Sequence, residues 1–220
     1  MNLKVHLMIA FIISLVSLMG FAVMAILVSK HTIVHFDSTI ISFVQGFEGP
    51  ILTEIMKFFT FIGGTKPIVV ISLLILFILY KVLKHLSELI LFIAVIAGAN
   101  GLFVSLKLLF HRARPDLHRL IEASNYSFPS GHATNAFALY GILTFLLWRH
   151  IPSRLGRTIL IILSVFMIFA IGMSRIYLGV HYPSDVIAGY FISAFWLTFL
   201  IWFYQRYKEK RYERKQASQR

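Results

Sequence analysis

Six long apolar runs divide this 220-residue sequence, and they constrain its fold more than any other feature. They cover residues 7–28, 67–83, 89–106, 132–148, 155–173 and 186–204. A helix that crosses a bilayer needs roughly 20 mostly apolar residues, so each run is about long enough to span. A chain that is 58% hydrophobic is too apolar for a soluble globule or a disordered segment. The sequence therefore predicts an all-α, polytopic membrane bundle of six transmembrane helices, built as a single domain over residues 1–220.

The connection between the first two runs, residues 31–66, is long and partly apolar. It contains two apolar helical faces, formed by Ile40, Val44 and Phe47 and by Ile51, Ile55, Phe58 and Ile62. This spacing predicts one or two short amphipathic helices in the membrane interface. Capping of the bundle is the simpler interpretation of these helices, and a lid or lipid guide is the alternative.

Three glycines lie inside or beside the apolar runs, at Gly98, Gly101 and Gly189. Small residues in membrane helices usually let two helix backbones approach closely. We therefore expect all three glycines to lie at helix–helix contacts and to have no catalytic role.

Lysine and arginine are distributed unevenly between the two ends of the predicted bundle. The amino terminus, the second and fourth connections and the tail 205–220 together hold 13 of the 21 basic residues. Basic connections usually stay on the cytoplasmic side, which predicts a plasma (inner) membrane protein with both termini in the cytoplasm. The net charge of +12 then reflects a topology signal beside anionic lipid headgroups, and no nucleic-acid partner is expected.

Polar and charged residues concentrate at helix ends on the opposite, extracytoplasmic face. They fall into three groups: Lys107 and Arg114; Ser130, Gly131 and His132; and Arg175, His181 and Asp185. Three cations suit a phosphate dianion, since an arginine can bind two oxygens at once. A helix that begins at Ser130-Gly131 adds unpaired backbone N–H groups, and glycine permits a close approach of the backbone to the anion.

The histidines supply chemistry that phosphate binding alone does not need. Asp185 lies in the first turn after the helix-capping Ser184, where its carboxylate can accept a proton from one ring nitrogen of His181. The other nitrogen of His181 is then a neutral nucleophile, and His132 can protonate the leaving oxygen and later activate water. The sequence thus predicts phosphoryl transfer through a phosphohistidine, with phosphate ligands Lys107, Arg114, Ser130, Gly131 and Arg175.

These residues occur in the pattern Lys107-x6-Arg114-Pro115, Pro129-Ser130-Gly131-His132 and Ser174-Arg175-x5-His181-x3-Asp185. The pattern, over residues 107–185, resembles the tripartite signature of the type 2 phosphatidic acid phosphatase superfamily. The resemblance implies the same roles for His181, His132 and Asp185, and catalysis without a metal or other cofactor. The short chain looks like a bacterial member of the phosphatidylglycerophosphatase B type, and such proteins act on phosphatidylglycerophosphate, phosphatidic acid or undecaprenyl diphosphate.

Two alternatives use the same cations. A lipid-phosphate binding or transport protein needs no nucleophile, so the set His132, His181 and Asp185 favours an enzyme. A phosphotransferase that passes the phosphate to an acceptor lipid keeps every one of these residues. In each case the substrate or ligand is a lipid phosphate, which we expect to enter through a lateral gap near the third and fifth connections. No obligate protein partner is evident.

The remaining acids and histidines of the third connection are interpreted as bystanders. Its acids, Asp116 and Glu122, are expected to be solvated or paired with Arg112 or Arg119. Its other histidines, His111 and His118, are expected to have no role.

Overall fold

Helices form almost all of this protein. The computed structural model describes residues 3–82, 86–116 and 118–217, of which 81% are helical and none is in a strand. Eight α-helices follow in order: α1 Leu3–Ser29, α2 Val34–Gln45, α3 Pro50–Ile62, α4 Thr65–Phe77, α5 Leu86–Phe110, α6 Gly131–Trp148, α7 Arg154–Tyr177 and α8 Pro183–Ala217. A π-helical turn, Ile78–Val82, extends α4. The all-α prediction is confirmed.

The predicted count of six spans is not confirmed. In the described ranges, four helices are long and apolar enough to cross a bilayer: Leu7–Ser29, Leu86–Phe110, Arg154–Tyr177 and Pro183–Arg214. Helices α3 and α4, bent by 50° at the two glycines between them, add a fifth if the pair forms one span. Helix α6 is not among them, because its first two turns carry the polar residues His132, Thr134 and Asn135.

Large apolar side chains are exposed along the outer faces of the long helices. Met19 on α1, Ile90 on α5 and Phe166 on α7 each leave more than half of their surface uncovered. In water such an apolar surface would drive aggregation, whereas contact with lipid tails requires an apolar surface. The protein is therefore a multi-pass membrane protein.

The first connection does form two helices, α2 and α3, as the sequence predicts. Both pack against α7, at the end of the bundle. Their placement in the membrane interface is not confirmed, since α3 combines with α4 into a bent pair that itself qualifies as a span.

Close helix packing explains two of the three glycines. A Cβ added to Gly98 would overlap the indole ring of Trp196 on α8, and one added to Gly189 would lie 2.9 Å from the carbonyl oxygen of Ser130. The expectation for Gly101 is wrong, because this residue faces outward from α5 with open space around it.

We expect Gly98→Ala to destabilise the protein by about 1–3 kcal/mol, as overpacked core positions do. The Trp196 indole cannot yield easily, because its N–H donates to the carbonyl oxygen of Ala94 at 3.1 Å. Thermal unfolding in detergent measures the effect, with Gly101→Ala as the matched control on the same helix. The control should unfold within a few degrees of wild type, and equal losses in both variants would contradict the packing account.

The helix ends that carry the predicted site converge at one end of the bundle. The backbone N–H of Ser130 donates to the carbonyl oxygen of Asp185 at 3.0 Å, which ties the start of α6 to the start of α8. The N–H of Leu120 donates to the carbonyl oxygen of Leu178 at 3.1 Å, which ties the third connection to the end of α7. Residues far apart in the sequence are thereby held around one small volume.

Candidate active site

Helix α6 begins at a capped turn that faces this volume. Ser130 is fully buried, and its Oγ accepts the N–H of Ala133 at 3.4 Å, which leaves the hydroxyl hydrogen free to donate. The N–H of Gly131 is one of the helix-start donors without an intrahelical partner. A Cβ on Gly131 would lie 3.0 Å from the Phe103 ring, so glycine allows α5 and α6 to meet here.

A cavity of about 610 Å³ lies beside the capped turn. Four of the predicted site residues line it: Lys107, Arg114, His132 and Arg175. Its other walls are Phe103, Val104 and Leu108 of α5, Thr65, and residues 122–126. This volume lies within the roughly 300–1,000 Å³ typical of ligand pockets.

The three cations are held by neutral oxygen atoms. Lys107 Nζ donates to the carbonyl oxygen of Tyr126 at 2.7 Å, and the Arg114 guanidinium donates to carbonyl oxygens of residues 124, 125 and 180. Arg175 donates from Nη1 to the hydroxyl of Thr60, and its buried Nε has no partner. Among the ion pairs of the described residues, none joins these cations to a carboxylate. Their positive charge is left available for an anion.

His181 is bonded on both sides of its ring. Its Nδ1 lies 3.3 Å from Asp185 Oδ2, and its Nε2 lies 3.1 Å from Arg114 Nη1. A guanidinium can only donate, so Nε2 accepts a hydrogen bond from Arg114. Nδ1 then carries the ring proton and donates a hydrogen bond to Asp185. This is the tautomer that leaves the lone pair of Nε2 pointing toward the cation-lined side.

His181 is a buried residue, although it lies in a connection between two helices. Only 1% of the residue is exposed, and the side chain lies behind Arg114 rather than on the cavity wall. Burial lowers the pKa of His181 well below its ordinary value of 6.5, and the charges of Arg175, Arg114 and Lys107 lower it further. The imidazole is therefore neutral at physiological pH.

This lowered pKa predicts a pH-dependent stability that the His181→Gln variant lacks. Below pH 6.5 His181 is protonated in the unfolded chain but stays neutral in the folded protein. The free energy of unfolding is therefore highest above pH 6.5. It decreases as the pH falls below that value, by up to about 1.4 kcal/mol per pH unit. Thermal unfolding at several pH values between about 7.5 and 5.5 measures it, and His118→Gln, on an exposed ring, is the control. Identical pH dependence in wild type and His181→Gln would refute the assignment.

The bystander interpretation of the third connection holds only in part. Arg119 pairs with Asp116 at 3.3 Å, and the exposed His118 pairs with Glu48 at 2.9 Å. Glu122 lines the cavity. Arg112, the other candidate partner, pairs with Asp37 and Asp185 and with neither acid of its own connection.

Three residues at the site escaped the sequence analysis. Arg112 binds Asp185 and Asp37, and Thr60 on α3 binds Arg175. The available signal was that Asp37 is the one acid of helix α2. A carboxylate is rarely buried without a partner, so such an acid indicates an ion pair if the helix packs against the bundle. Helices α2 and α3 therefore do more than cap the bundle, because each supplies a side chain to the site.

The described residues contain no group of three or more histidine, cysteine, aspartate or glutamate side chains arranged to hold a metal ion. The oxygen donors near the cavity are mainly backbone carbonyls and hydroxyls, and these already accept hydrogen bonds from the cations.

Comparison with known proteins identifies the family. Residues 88–209 match the family model described as the PAP2 superfamily, which covers more than half of the chain. The chain belongs to the PAP2 superfamily. The resemblance predicted from the signature residues is confirmed, and PAP2 proteins are lipid phosphatases.

Relatives of this PAP2 chain agree with that assignment. It is 35% identical over 147 residues to phosphatidylglycerophosphatase B of Bacillus subtilis, a match that covers 64% of this chain and 70% of that protein. It is 33% identical over 109 residues to an undecaprenyl-diphosphatase of Sulfolobus acidocaldarius, covering 49% of this chain and 48% of the other. The crystal structure of a transmembrane PAP2-type phosphatidylglycerolphosphate phosphatase from Bacillus subtilis aligns with a TM-score of 0.74 at 27% identity, over 90% of this chain and 96% of that chain.

Proposed function

We propose that this PAP2 protein hydrolyses the terminal phosphate of a membrane lipid through a phosphohistidine on His181. One observation carries the proposal: Nδ1 of His181 is fixed by Asp185, while Nε2 faces Arg114, which lines a cavity shared with Lys107 and Arg175. A neutral, oriented imidazole beside an anion site is what nucleophilic attack on phosphorus requires.

The proposed reaction has two steps. When a phosphate enters, the Arg114 guanidinium turns to its oxygens and releases Nε2 of His181. Nε2 then bonds to phosphorus, the bond from phosphorus to the lipid oxygen breaks, and His132 gives that oxygen the proton that it took from the phosphate monoanion when the substrate bound. In the second step His132 takes a proton from water, the water oxygen bonds to phosphorus, and the bond from phosphorus to Nε2 breaks. Inorganic phosphate takes the proton from His132 as it leaves, so His181 and His132 are both neutral again.

Charge on the equatorial phosphate oxygens is stabilised by groups already in place. These are the side chains of Lys107, Arg114 and Arg175, the Ser130 hydroxyl and the Gly131 N–H. Because no carboxylate of the described residues forms an ion pair with these cations, they need little reorganisation as the transition state forms. We propose that no metal ion or other cofactor takes part.

Phosphatidylglycerophosphate, phosphatidic acid and undecaprenyl diphosphate are the proposed substrates, the first and last in line with the names of the relatives. Val104 and Leu108 line the cavity and are also exposed on the lipid-facing side of α5. A lipid tail can lie against them while the phosphate reaches the cations. We therefore place lateral entry between α5 and Thr65 at the start of α4.

Phosphate release from purified protein in detergent tests the function. Phosphatidylglycerophosphate, phosphatidic acid and undecaprenyl diphosphate are offered separately with EDTA present, and His181→Gln is the blank. Release by wild type alone supports a metal-independent phosphatase, and the ranking identifies the preferred lipid. No release by folded protein would contradict the proposal and favour lipid-phosphate binding, whereas phosphate on an acceptor lipid would favour a transferase.

We also propose that six segments cross the plasma membrane, with α6 as the additional span, both termini in the cytoplasm and the site outside. The basic residues Arg149, Arg154 and Arg157 lie at the junction of α6 and α7, at the opposite ends of these helices from the site. This distribution supports the orientation through the preference of basic connections for the cytoplasm. Two residues counted toward it, Lys84 and Arg220, lie outside the described part of the chain.

Single cysteines test this topology, because the natural chain has none. In intact cells we expect a membrane-impermeant maleimide to label Asp116→Cys, at a fully exposed position near the site. Arg154→Cys, at the exposed start of α7, should react only after the membrane is permeabilised. Labelling of Arg154→Cys alone in intact cells would reverse the orientation.

A further inference from the structure

A buried charge network lies behind Asp185, on the side away from the cavity. It joins Asp37 on α2, Arg112 in the third connection, and Ser184 with Asp185 at the start of α8. Asp37, Ser184 and Asp185 are at most 1% exposed, and the Arg112 side chain is 15% exposed. Asp37 and Arg112 lie outside the signature pattern and have no part in the proposed reaction steps.

Arg112 is the centre of this network. Its Nη1 donates to Asp185 Oδ1 and to Ser184 Oγ, each at 2.7 Å, and its Nη2 donates to Asp37 Oδ2 at 2.8 Å. The guanidinium carbon lies 4.0 Å from the ring centroid of Tyr182, so the ring covers one of its faces. Cation–π stacking and paired hydrogen bonds together leave Arg112 one orientation.

Asp37 completes the arrangement from the other side. Its Oδ1 accepts the backbone N–H of Ser184 at 2.9 Å, and its Oδ2 accepts the Ser184 hydroxyl at 2.6 Å as well as Arg112. Asp37 thus holds both the guanidinium and the first turn of α8, on which Asp185 is carried. Asp37 thereby links helix α2 to the charge network.

The two oxygens of Asp185 are divided between the network and the nucleophile. Oδ1 is bound to Arg112, whereas Oδ2 accepts the backbone N–H of Tyr182 at 2.9 Å and faces His181 Nδ1 at 3.3 Å. A fully buried carboxylate is costly unless a charge and several donors compensate it. Arg112 is the cation that contacts Asp185 directly, so it offsets part of the cost of burying the carboxylate and fixes the carboxylate plane.

We propose that Asp37 and Arg112 are positioning residues, which hold Asp185 so that it orients His181 and stabilises the positive charge on the ring as Nε2 bonds to phosphorus. This inference rests on the proposed phosphatase function and adds two residues to it. Neither side chain lines the cavity of Lys107, Arg114, His132 and Arg175. Their effect must therefore appear in turnover rather than in phosphate binding.

The test compares four variants with a short-chain, soluble phosphatidic acid: Arg112→Gln, Arg112→Lys, Asp37→Asn and the control Arg119→Gln. Arg119 lies in the same connection and pairs with Asp116 at the surface. We expect Arg112→Gln to lower kcat about 10- to 100-fold with KM within about threefold, since groups that orient a catalytic residue typically contribute that much. Arg112→Lys and Asp37→Asn should lose less, and Arg119→Gln should match wild type.

A double-mutant cycle distinguishes positioning from a general structural role. In an Asp185→Asn background, Arg112→Gln should cost less than about threefold further, because the two residues act as one unit. Asp37→Asn, which preserves shape, keeps the test valid if Arg112→Gln unfolds early in a thermal melt.

The outcomes distinguish failure of the positioning role from failure of the proposed phosphatase function. Full effects of Arg112→Gln in both backgrounds, or a rise in KM alone, would overturn the positioning role while phosphatase activity stands. Wild-type kcat in Arg112→Gln and Asp37→Asn would do the same. A wild-type protein that releases no phosphate would overturn both proposals together.

Discussion

The His181→Gln variant is expected to lose phosphatase activity by at least about 10⁴-fold while the protein stays folded. Glutamine fills much of the same buried space and can still bond to Asp185, but it offers no nucleophilic nitrogen to phosphorus. Phosphate release measures the activity, and thermal unfolding in detergent confirms the fold. Because His181 is enclosed, glutamine is a better substitute than alanine, which would leave a cavity at a fully packed position.

His118→Gln is the matched control for this prediction, since His118 is a half-exposed histidine of the third connection that pairs with Glu48. It should retain wild-type turnover. Activity above about a tenth of wild type in His181→Gln would exclude the covalent route and leave direct attack by water as the mechanism.

The second large effect concerns His132. We expect His132→Gln to lower turnover of lipid phosphates by about 10²–10⁴-fold, because both proton transfers are lost. With p-nitrophenyl phosphate, whose leaving group needs no proton, the first step should still proceed. Phosphate should then accumulate on the protein, because no base activates water for the second step.

Labelling with radioactive substrate detects this intermediate. The label should be stable in base and labile in acid, as a phosphorus–nitrogen bond is, and it should be absent from the double variant His132→Gln/His181→Gln. Label that persists in the double variant would place the covalent bond on another residue and reject His181 as the nucleophile.

Four of the predicted site residues line one cavity, because helix ends at the same end of a narrow bundle lie close together. Lys107, His132 and Arg175 lie at the ends of three different helices, and the narrow bundle brings them to one cavity. Arg114 joins them from the loop, since its guanidinium reaches the carbonyl of residue 180. Local spacing and the convergence of helix ends therefore account for the grouping of these four side chains around one cavity.

The rest of the site depends on contacts that no local pattern reveals. Asp37 meets Ser184, 147 positions along the chain, and Thr60 meets Arg175, 115 positions along. Both come from the first connection, whose amphipathic pattern predicts helices but not what those helices touch. The direction in which a lone glycine faces is equally hidden, as Gly101 shows.

In the resting site, the hydrogen bond from Arg114 occupies the lone pair on Nε2 of His181, the nitrogen proposed to attack phosphorus. An electrophile that lacks negative charge cannot draw the guanidinium away, so it meets a lone pair that is already occupied. A phosphate brings the charge that exchanges one hydrogen bond for stronger ones, and the same exchange frees the nucleophile. In the proposed mechanism, the negative charge of the substrate thus exposes the reactive nitrogen, and this selects anionic substrates before any contact with the lipid tail.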